Sequence, residues 1–341
     1  MSGGVKTLTV KPDEADMRLD RWFKARLPDM PFARLQKALR KGEIRVDGGR
    51  VKASDRVQPG QKVRVPPYQA ADAAAAGGGK PRGPDDQPAD PKDAALARSL
   101  VIHRNPAILA LNKPAGLAVQ GGSKTTRHLD GMLGHLKFEA PERPRLVHRL
   151  DKDTSGVLLL ARDRQTAAKL GRSFKDRRTR KVYWAIVVGV PDPKAGTITL
   201  PLSKAGAKGS ERVEPDPDDG QPAITDYVVL ENAGNKAALV ALWPRTGRTH
   251  QLRAHMAAIG TPILGDGKYG GKAAFPDGEL DRASAGRALH LHAREITIPP
   301  GLPDAGATIT AQPPKAFRET LDLFEFDPEL SAAEDPFEDF K

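Results

Sequence analysis

Apolar positions at helical spacing open the chain. Leu19, Trp22, Phe23 and Leu27, and then Leu35, Ala38 and Leu39, predict two short amphipathic helices, the second stopped by Gly42. Ile44 and Val46 then alternate with polar residues up to Asp47-Gly48, and Val51 follows, which predicts a tight hairpin. Lys62-Val63-Arg64-Val65 after the Pro59-Gly60 turn adds a last strand, so residues 1–67 form a first module. Residues 68–98 are dominated by Ala, Gly, Pro and Asp without apolar periodicity, as expected of a flexible linker.

A larger module is expected over 99–326. Runs at Ile108–Leu111, Val157–Ala161, Val182–Val190, Thr197–Leu200, Tyr227–Leu230 and Ala237–Leu242 predict strands. Thr166–Phe174 and Thr249–Ile259 predict helices. Strands and helices do not alternate regularly, so the expectation is an α+β fold with a mixed, mostly antiparallel sheet rather than a doubly wound one. Residues 327–341 read as an acidic tail, taken as inert solvated sequence, with a shield of the basic surface against nonspecific RNA as the alternative.

Composition narrows the function. With 341 residues, two domains are expected. The absence of cysteine removes disulfides, thiolate metal sites and a cysteine nucleophile. No signal core or run of roughly 18 apolar residues occurs, so a cytoplasmic protein without membrane attachment is expected. The net charge of +11 is unevenly spread: residues 1–66 carry 16 Lys and Arg against 8 Asp and Glu. Residues 319–341 carry nine acids and one base, leaving the rest of the chain at about +19. Such asymmetry points to a nucleic acid partner, against the plainer alternative of a solvated basic surface.

The most informative segment is Arg145–Arg162, RLVHRLDKDTSGVLLLAR, in which a polar loop from His148 to Ser155 runs into an almost continuous apolar strand. A reactive loop held by a buried strand suits precise chemistry. Read alone, Asp151 serves equally well to cap a turn with Thr154 and Ser155. Gly77-Gly78-Gly79-Lys80 is not a phosphate loop, because Ala74 stands where the first glycine belongs and Pro81 where Ser or Thr is needed. His290 and His292, or His250 and His255, lack the cysteine or carboxylate partners of a zinc site, so no metal is expected.

HRLDKDTSG resembles the active-site signature of RluA-type RNA pseudouridine synthases. Further motifs follow the family's order: Leu111–Leu117 resembles its NKPAG turn, Lys181–Ala185 its KxYxA strand, Thr246–His255 its TGRTHQLRxH helix, and Gly265-Asp266 through Tyr269 its GDxxY ending. Asn105-Pro106 departs from the acidic pair common before NKPAG. The first module, with RLDRW, KGEIRVDG and VQPGQKVRV, resembles the S4 RNA-binding domain, and with His128–Leu133 (HLDGML) it points to the branch acting on large-subunit ribosomal RNA.

The resemblance implies an isomerase of uridine in RNA that needs no metal, nucleotide or organic cofactor. Asp151 matches the catalytic aspartate, Arg253 the arginine that pairs with it, and Tyr183 the active-site tyrosine that stacks on the base. Outside the family context, Arg253 fits an ordinary phosphate contact and Tyr183 a core position. Arg149 matches the side chain that fills the gap left by the extruded nucleotide. His148, Arg248 and His250 complete the expected substrate side, with Leu252 packed against it and carrying no chemistry. In the S4-like module the expected RNA-facing residues are Arg34, Lys37, Arg40, Lys41 and Arg45, with a solvated helix face as the alternative. A monomer is expected. The rival functions are a noncatalytic RNA-binding or ribosome-assembly factor on the same fold, and a glycosidic-bond hydrolase.

Overall fold

The structure, a computed structural model, describes residues 5–67, 90–121, 125, 127–206, 212–276, 287–327 and 335–340. The chain divides into two compact units, Met1–Asp86 and Gln87–Lys341.

The first unit contains β1 (Lys6–Thr9), β2 (Met17–Arg18), α1 (Leu19–Arg26), α2 (Phe32–Lys41), β3 (Arg45–Val46), β4 (Gly49–Arg50), β5 (Arg56–Val57) and β6 (Lys62–Val65). The order β1-β6-β3-β4 forms one small sheet, and β2 pairs with β5. Both predicted helices are present, and their apolar faces, with Trp22 and Phe23 on one and Leu35 and Ala38 on the other, join a single core. Gly42 ends α2 in the left-handed region at φ 68°.

Glu14 is a buried carboxylate that accepts from Trp22 Nε1 at 2.9 Å, from the Lys11 amide and from Arg26. Burial pushes its pKa up, but these donors outweigh it and hold Glu14 below the usual range. Of the five expected RNA-facing residues, Lys37, Arg40 and Lys41 are exposed. Arg34 instead pairs with Glu43 at 2.7 Å, and Arg45 donates to the carbonyls of Gly42 and Gly48. Those two guanidiniums are therefore engaged in holding the unit together.

The second unit runs α3 (Pro91–Ser99), β7 (Val101–Arg104), β8 (Ile108–Lys113), α4 (Leu129–Met132), β9 (Arg145–Leu146), β10 (Ser155–Ala161), α5 (Arg164–Lys175), β11 (Lys181–Val188), β12 (Ala195–Thr199), β13 (Leu202–Ala205), β14 (Arg212–Pro215), β15 (Ile224–Ala233), β16 (Ala237–Pro244), α6 (Gln251–Ala258), β17 (Leu291–Thr297), β18 (Thr308–Thr310) and α7 (Lys315–Leu323). The main sheet has the order β12-β15-β16-β11-β17-β10-β8-β7, with β9 beside β10 and β18 beside β17. All of its pairings are antiparallel except β10 with β17, so the sheet is mixed and mostly antiparallel, as expected. β10 is buried along its whole length and separates two cores, with Leu158 and Leu160 on one side and Val157 and Leu159 on the other.

Two expectations need correction. Residues 68–89 of the expected linker lie outside the described residues, but Pro91–Ser99 at its end is a helix. Asp90 caps this helix by accepting from the Lys92 amide, Pro91 occupies its first turn, and Ala97 is fully buried in the core of the second unit. The tail is likewise not inert: within it, Phe337 is fully buried against Val182 and Ala241.

Candidate active site

Asp151 lies in the loop between β9 and β10, and several donors hold that loop from below. Lys113, fully buried at the end of β8, sends its Nζ to the carbonyls of Pro114, Leu117 and Lys152, each at 2.9 Å. The Gly116 amide donates to the same Lys152 carbonyl. Burial lowers the Lys113 pKa to about 8, against the opposing pull of Asp153 and Asp151.

Past the loop, Ser155 Oγ lies 2.9 Å from His292 Nδ1, while His292 Nε2 faces the Ala311 carbonyl. A carbonyl can only accept, so Nε2 carries the proton and the Ser155 hydroxyl donates to Nδ1. Gly156 follows at φ +111°, and a Cβ there would stand 2.2 Å from the Ala293 carbonyl oxygen. Only glycine lets β10 approach β17 this closely.

The other candidate residues come from distant elements. Tyr183 sits in β11 at a bulge, opposite Leu242 on one side and Ala293 on the other. Burial, reinforced by the Asp151 charge, pushes its phenol well above the ordinary range, so its hydroxyl is a proton donor. Arg253 projects from α6 and gives its Nε and Nη2 to the two oxygens of Asp266, at 2.8 and 2.6 Å, with its guanidinium 5.1 Å from the Tyr269 ring centroid. Burial acts to lower its pKa, but Asp266 and Asp151 outweigh it and raise it. Arg253 thus carries a fixed positive charge whose field reaches Asp151.

His250 precedes α6 in the left-handed region at φ 50°, a conformation a non-glycine residue keeps only where its surroundings enforce it. Its Nδ1 lies 2.9 Å from the Tyr269 hydroxyl and its Nε2 lies 3.7 Å from Asp151 Oδ2. Tyr269 also accepts from the Val213 amide, so its hydroxyl ties His250 to β14. Thr246 and Gln251 fasten this turn to β15 through the Ile224 carbonyl and Thr225.

Asp151, its side chain 23% exposed, stands where two cavities meet. The larger, about 520 Å³, is lined by Arg149, Tyr183, Trp243, Arg245, Arg248 and others; the smaller, about 390 Å³, is lined by Asp153, Gly267 and Lys268 among others. Asp151, His250 and Arg253 border both. The larger volume lies within the range of small-ligand sites and suits a nucleotide. Among the described residues, no group of three or more His, Asp or Glu is placed to hold a metal ion.

All eight candidate residues expected from the sequence in this unit border the larger cavity. Arg149 is exposed at its mouth and Leu252 is buried in the core below. Arg248 is held by the Pro222 carbonyl and the Gln221 side chain. His148 is turned inward: its Nε2 accepts from the Leu159 amide at 2.8 Å and its ring stacks on Phe174. Sequence reasoning gave no role to Lys113, Asp266 or Tyr269, although each sits inside a motif it had singled out.

The buried imidazoles make a testable prediction. Burial, with the Lys181 charge nearby, lowers His148 to about 3, and burial lowers His292 to about 4. Unfolded histidine titrates near 6.5, so as pH falls below that value the unfolded chain binds the proton first. The contribution of these rings is complete above about pH 6.5 and is lost progressively towards pH 3 to 4. By linkage each ring should cost about 3 kcal/mol between pH 7 and 4, so denaturant melts should lose on the order of 6 kcal/mol over that range. His148→Gln, whose amide oxygen can still accept from Leu159, should blunt the loss, and equal stability at both pH values would refute the assignment.

The chain is similar to several known proteins. Residues 107–258 match the family model described as RNA pseudouridylate synthase. The chain is 34% identical over 289 residues to the ribosomal large subunit pseudouridine synthase C of Rickettsia conorii, covering 82% of this chain and 88% of that protein. To the protein of the same name from Escherichia coli strain K12 it is 35% identical over 298 residues, covering 86% and 88%. Among solved structures, the human RNA pseudouridylate synthase domain containing 4 aligns with a TM-score of 0.55 at 29% identity, covering 69% of this chain and 97% of that one.

Proposed function

Since the chain belongs to the RNA pseudouridylate synthase family, we propose that it isomerises uridine to pseudouridine in large-subunit ribosomal RNA, with Asp151 as the reacting carboxylate. The observation that carries the reading is the placement of Asp151 at the junction of two cavities, with Tyr183 bordering one and Arg253 bordering both. The RNA class follows the names of the relatives. It also suits a chain of net charge +11. A ribosomal substrate puts the activity in the cytoplasm.

The reaction breaks the bond from the sugar C1′ to N1 of the base, turns the base and rejoins C1′ to C5. The C5 hydrogen leaves and N1 ends protonated, so atoms and electrons balance without an oxidant or reductant. The step needs an anion that can stabilise or capture the electron-poor anomeric carbon, and Asp151 provides it. Phosphates around a bound RNA would favour its neutral form, and the fixed charge on Arg253 opposes them. Tyr183 offers a ring for the extruded base and a hydroxyl that keeps its proton. Arg149, exposed beside the carboxylate, fills the space the base vacates, and unpaired loops are the easiest targets because extrusion there costs least.

The N-terminal unit is inferred to be an S4-like RNA-binding module working through Lys37, Arg40 and Lys41, its exposed cations on and beside α2. Incubating the protein with large-subunit RNA carrying tritium at uridine C5 tests the isomerase reading. Tritium should be released stoichiometrically with no free uracil. Binding alone would favour a noncatalytic RNA-binding factor, and free uracil a glycosidic-bond hydrolase. Replacing Lys37, Arg40 and Lys41 by Gln should weaken RNA binding about tenfold at low salt and flatten its salt dependence, and unchanged binding would remove the RNA role of that unit.

A further inference from the structure

The acidic end of the chain is docked at the rim of the active-site cleft. Phe337 is fully buried against Val182 and Ala241, edge-on to Trp243 with ring centroids 5.5 Å apart, and Phe340 packs on it in turn. Asp335 pairs with Arg180, and its Oδ1 also accepts from the Phe337 amide at 3.0 Å. Arg245 Nη2 donates to the Phe340 carbonyl at 2.7 Å, while its Nε is held by Asp226. Both guanidiniums lie over the Trp243 ring, Arg180 at 5.0 Å and Arg245 at 3.2 Å from its centroid. Trp243 and Arg245 line the larger cavity. Glu338 and Asp339 stay exposed on the docked segment.

We propose that residues 335–340 act as an acidic strap that competes with RNA phosphate for Arg180 beside the cleft, setting how strictly the cleft discriminates target RNA from other RNA. This rests on the reading of the protein as an RNA isomerase. The strap sets the Asp335 carboxylate on Arg180 and carries Glu338 and Asp339 exposed on the same segment, so its charge stands where Arg180 would otherwise meet a phosphodiester backbone. Its charge repels any RNA passing the rim, so weakly held strands lose most. A target that also inserts its uridine beside Asp151 gains contacts a nonspecific strand lacks. The buried phenylalanine keeps the strap at high local concentration without any anion of its own.

The test uses the full chain in which Asp335→Asn, Glu338→Gln and Asp339→Asn are combined. Asp335→Asn keeps an oxygen for the Phe337 amide, so the anchor is retained while the charge is removed. Binding to a single-stranded RNA without target sites should tighten about three- to tenfold, and the slope of log K against log salt should steepen by about one. Turnover on the natural target should stay within about twofold. Phe337→Ala, which releases the anchor instead, should act in the same direction.

Unchanged non-target affinity and slope in the triple variant would overturn the proposal, and so would weaker binding, which marks the segment as a structural brace only. Wild-type conversion of large-subunit RNA in the same series serves as the control. If that fails, the isomerase reading falls and the strap with it, whereas normal conversion with wild-type-like variants removes the strap alone.

Discussion

Asp151→Asn is expected to lower turnover by about 10⁴-fold or more, equivalent to about 5.5 kcal/mol of barrier, while RNA affinity stays within about threefold of wild type. The amide is nearly isosteric, so the loop anchored by Lys113 and Ser155 should keep its shape. What disappears is the negative charge. Arg253 retains its second carboxylate in Asp266, so no buried cation is abandoned and the fold should be almost as stable as before. Affinity should hold because removing one anion from a basic cleft does not weaken phosphate contacts. Tritium release from C5-labelled uridine together with RNA binding reads both halves, and a variant that still turned over at the wild-type rate would remove Asp151 from the chemistry.

The contrast between well and poorly legible segments has a physical basis. β10 was visible because a strand buried on both faces must be apolar throughout, and Val157–Ala161 is. β17, its neighbour in the sheet, is buried over Leu291–Ala293 but does not stand out as an apolar run. It carries His292, Arg294 and Glu295, polar groups that the fold accepts because Ser155, Ala311 and neighbouring charges engage them. α3 and the docked tail were hidden by composition. Alanine, proline and acidic residues read as solvated chain, yet one buried alanine and one buried phenylalanine fix them. Averages over a window cannot register a single anchoring side chain.

The site divides in the same way. Asp151, Tyr183 and Arg253 are separated by up to a hundred residues, and only the family motifs suggested that they meet, since no local periodicity encodes contact between β11, α6 and a loop. The partner of Arg253 was misjudged in part. The pairing expected with Asp151 takes the form of charge acting at a distance, whereas the guanidinium fork grips Asp266, which the sequence reading had left without a role.

That grip supports the second large effect, which concerns Asp266→Asn. Asp266 is 2% exposed and takes both Arg253 nitrogens while Oδ1 also accepts from the amides of Lys268 and Tyr269. Its turn is set by Gly265 at φ +79°, where a Cβ would lie 1.9 Å from the Ala288 carbonyl oxygen. An asparagine that keeps the two amide bonds keeps the one from Arg253 Nη2 as well, but turns its NH₂ toward Arg253 Nε, donor against donor, and removes the negative charge that neutralises a buried guanidinium. Breaking such a pair costs about 3–5 kcal/mol, so Asp266→Asn should melt markedly earlier and lose about 10²-fold in turnover. Combining it with Arg253→Met removes both charges, and replacing a buried pair by neutral side chains is often nearly neutral for stability. The double variant should therefore regain most of the lost stability and none of the lost activity, because the cation that acts on Asp151 is gone. If turnover returned along with stability, Arg253 would be reduced to a structural partner of Asp266, and the charge that keeps Asp151 ionised beside RNA would have to come from elsewhere in the cleft.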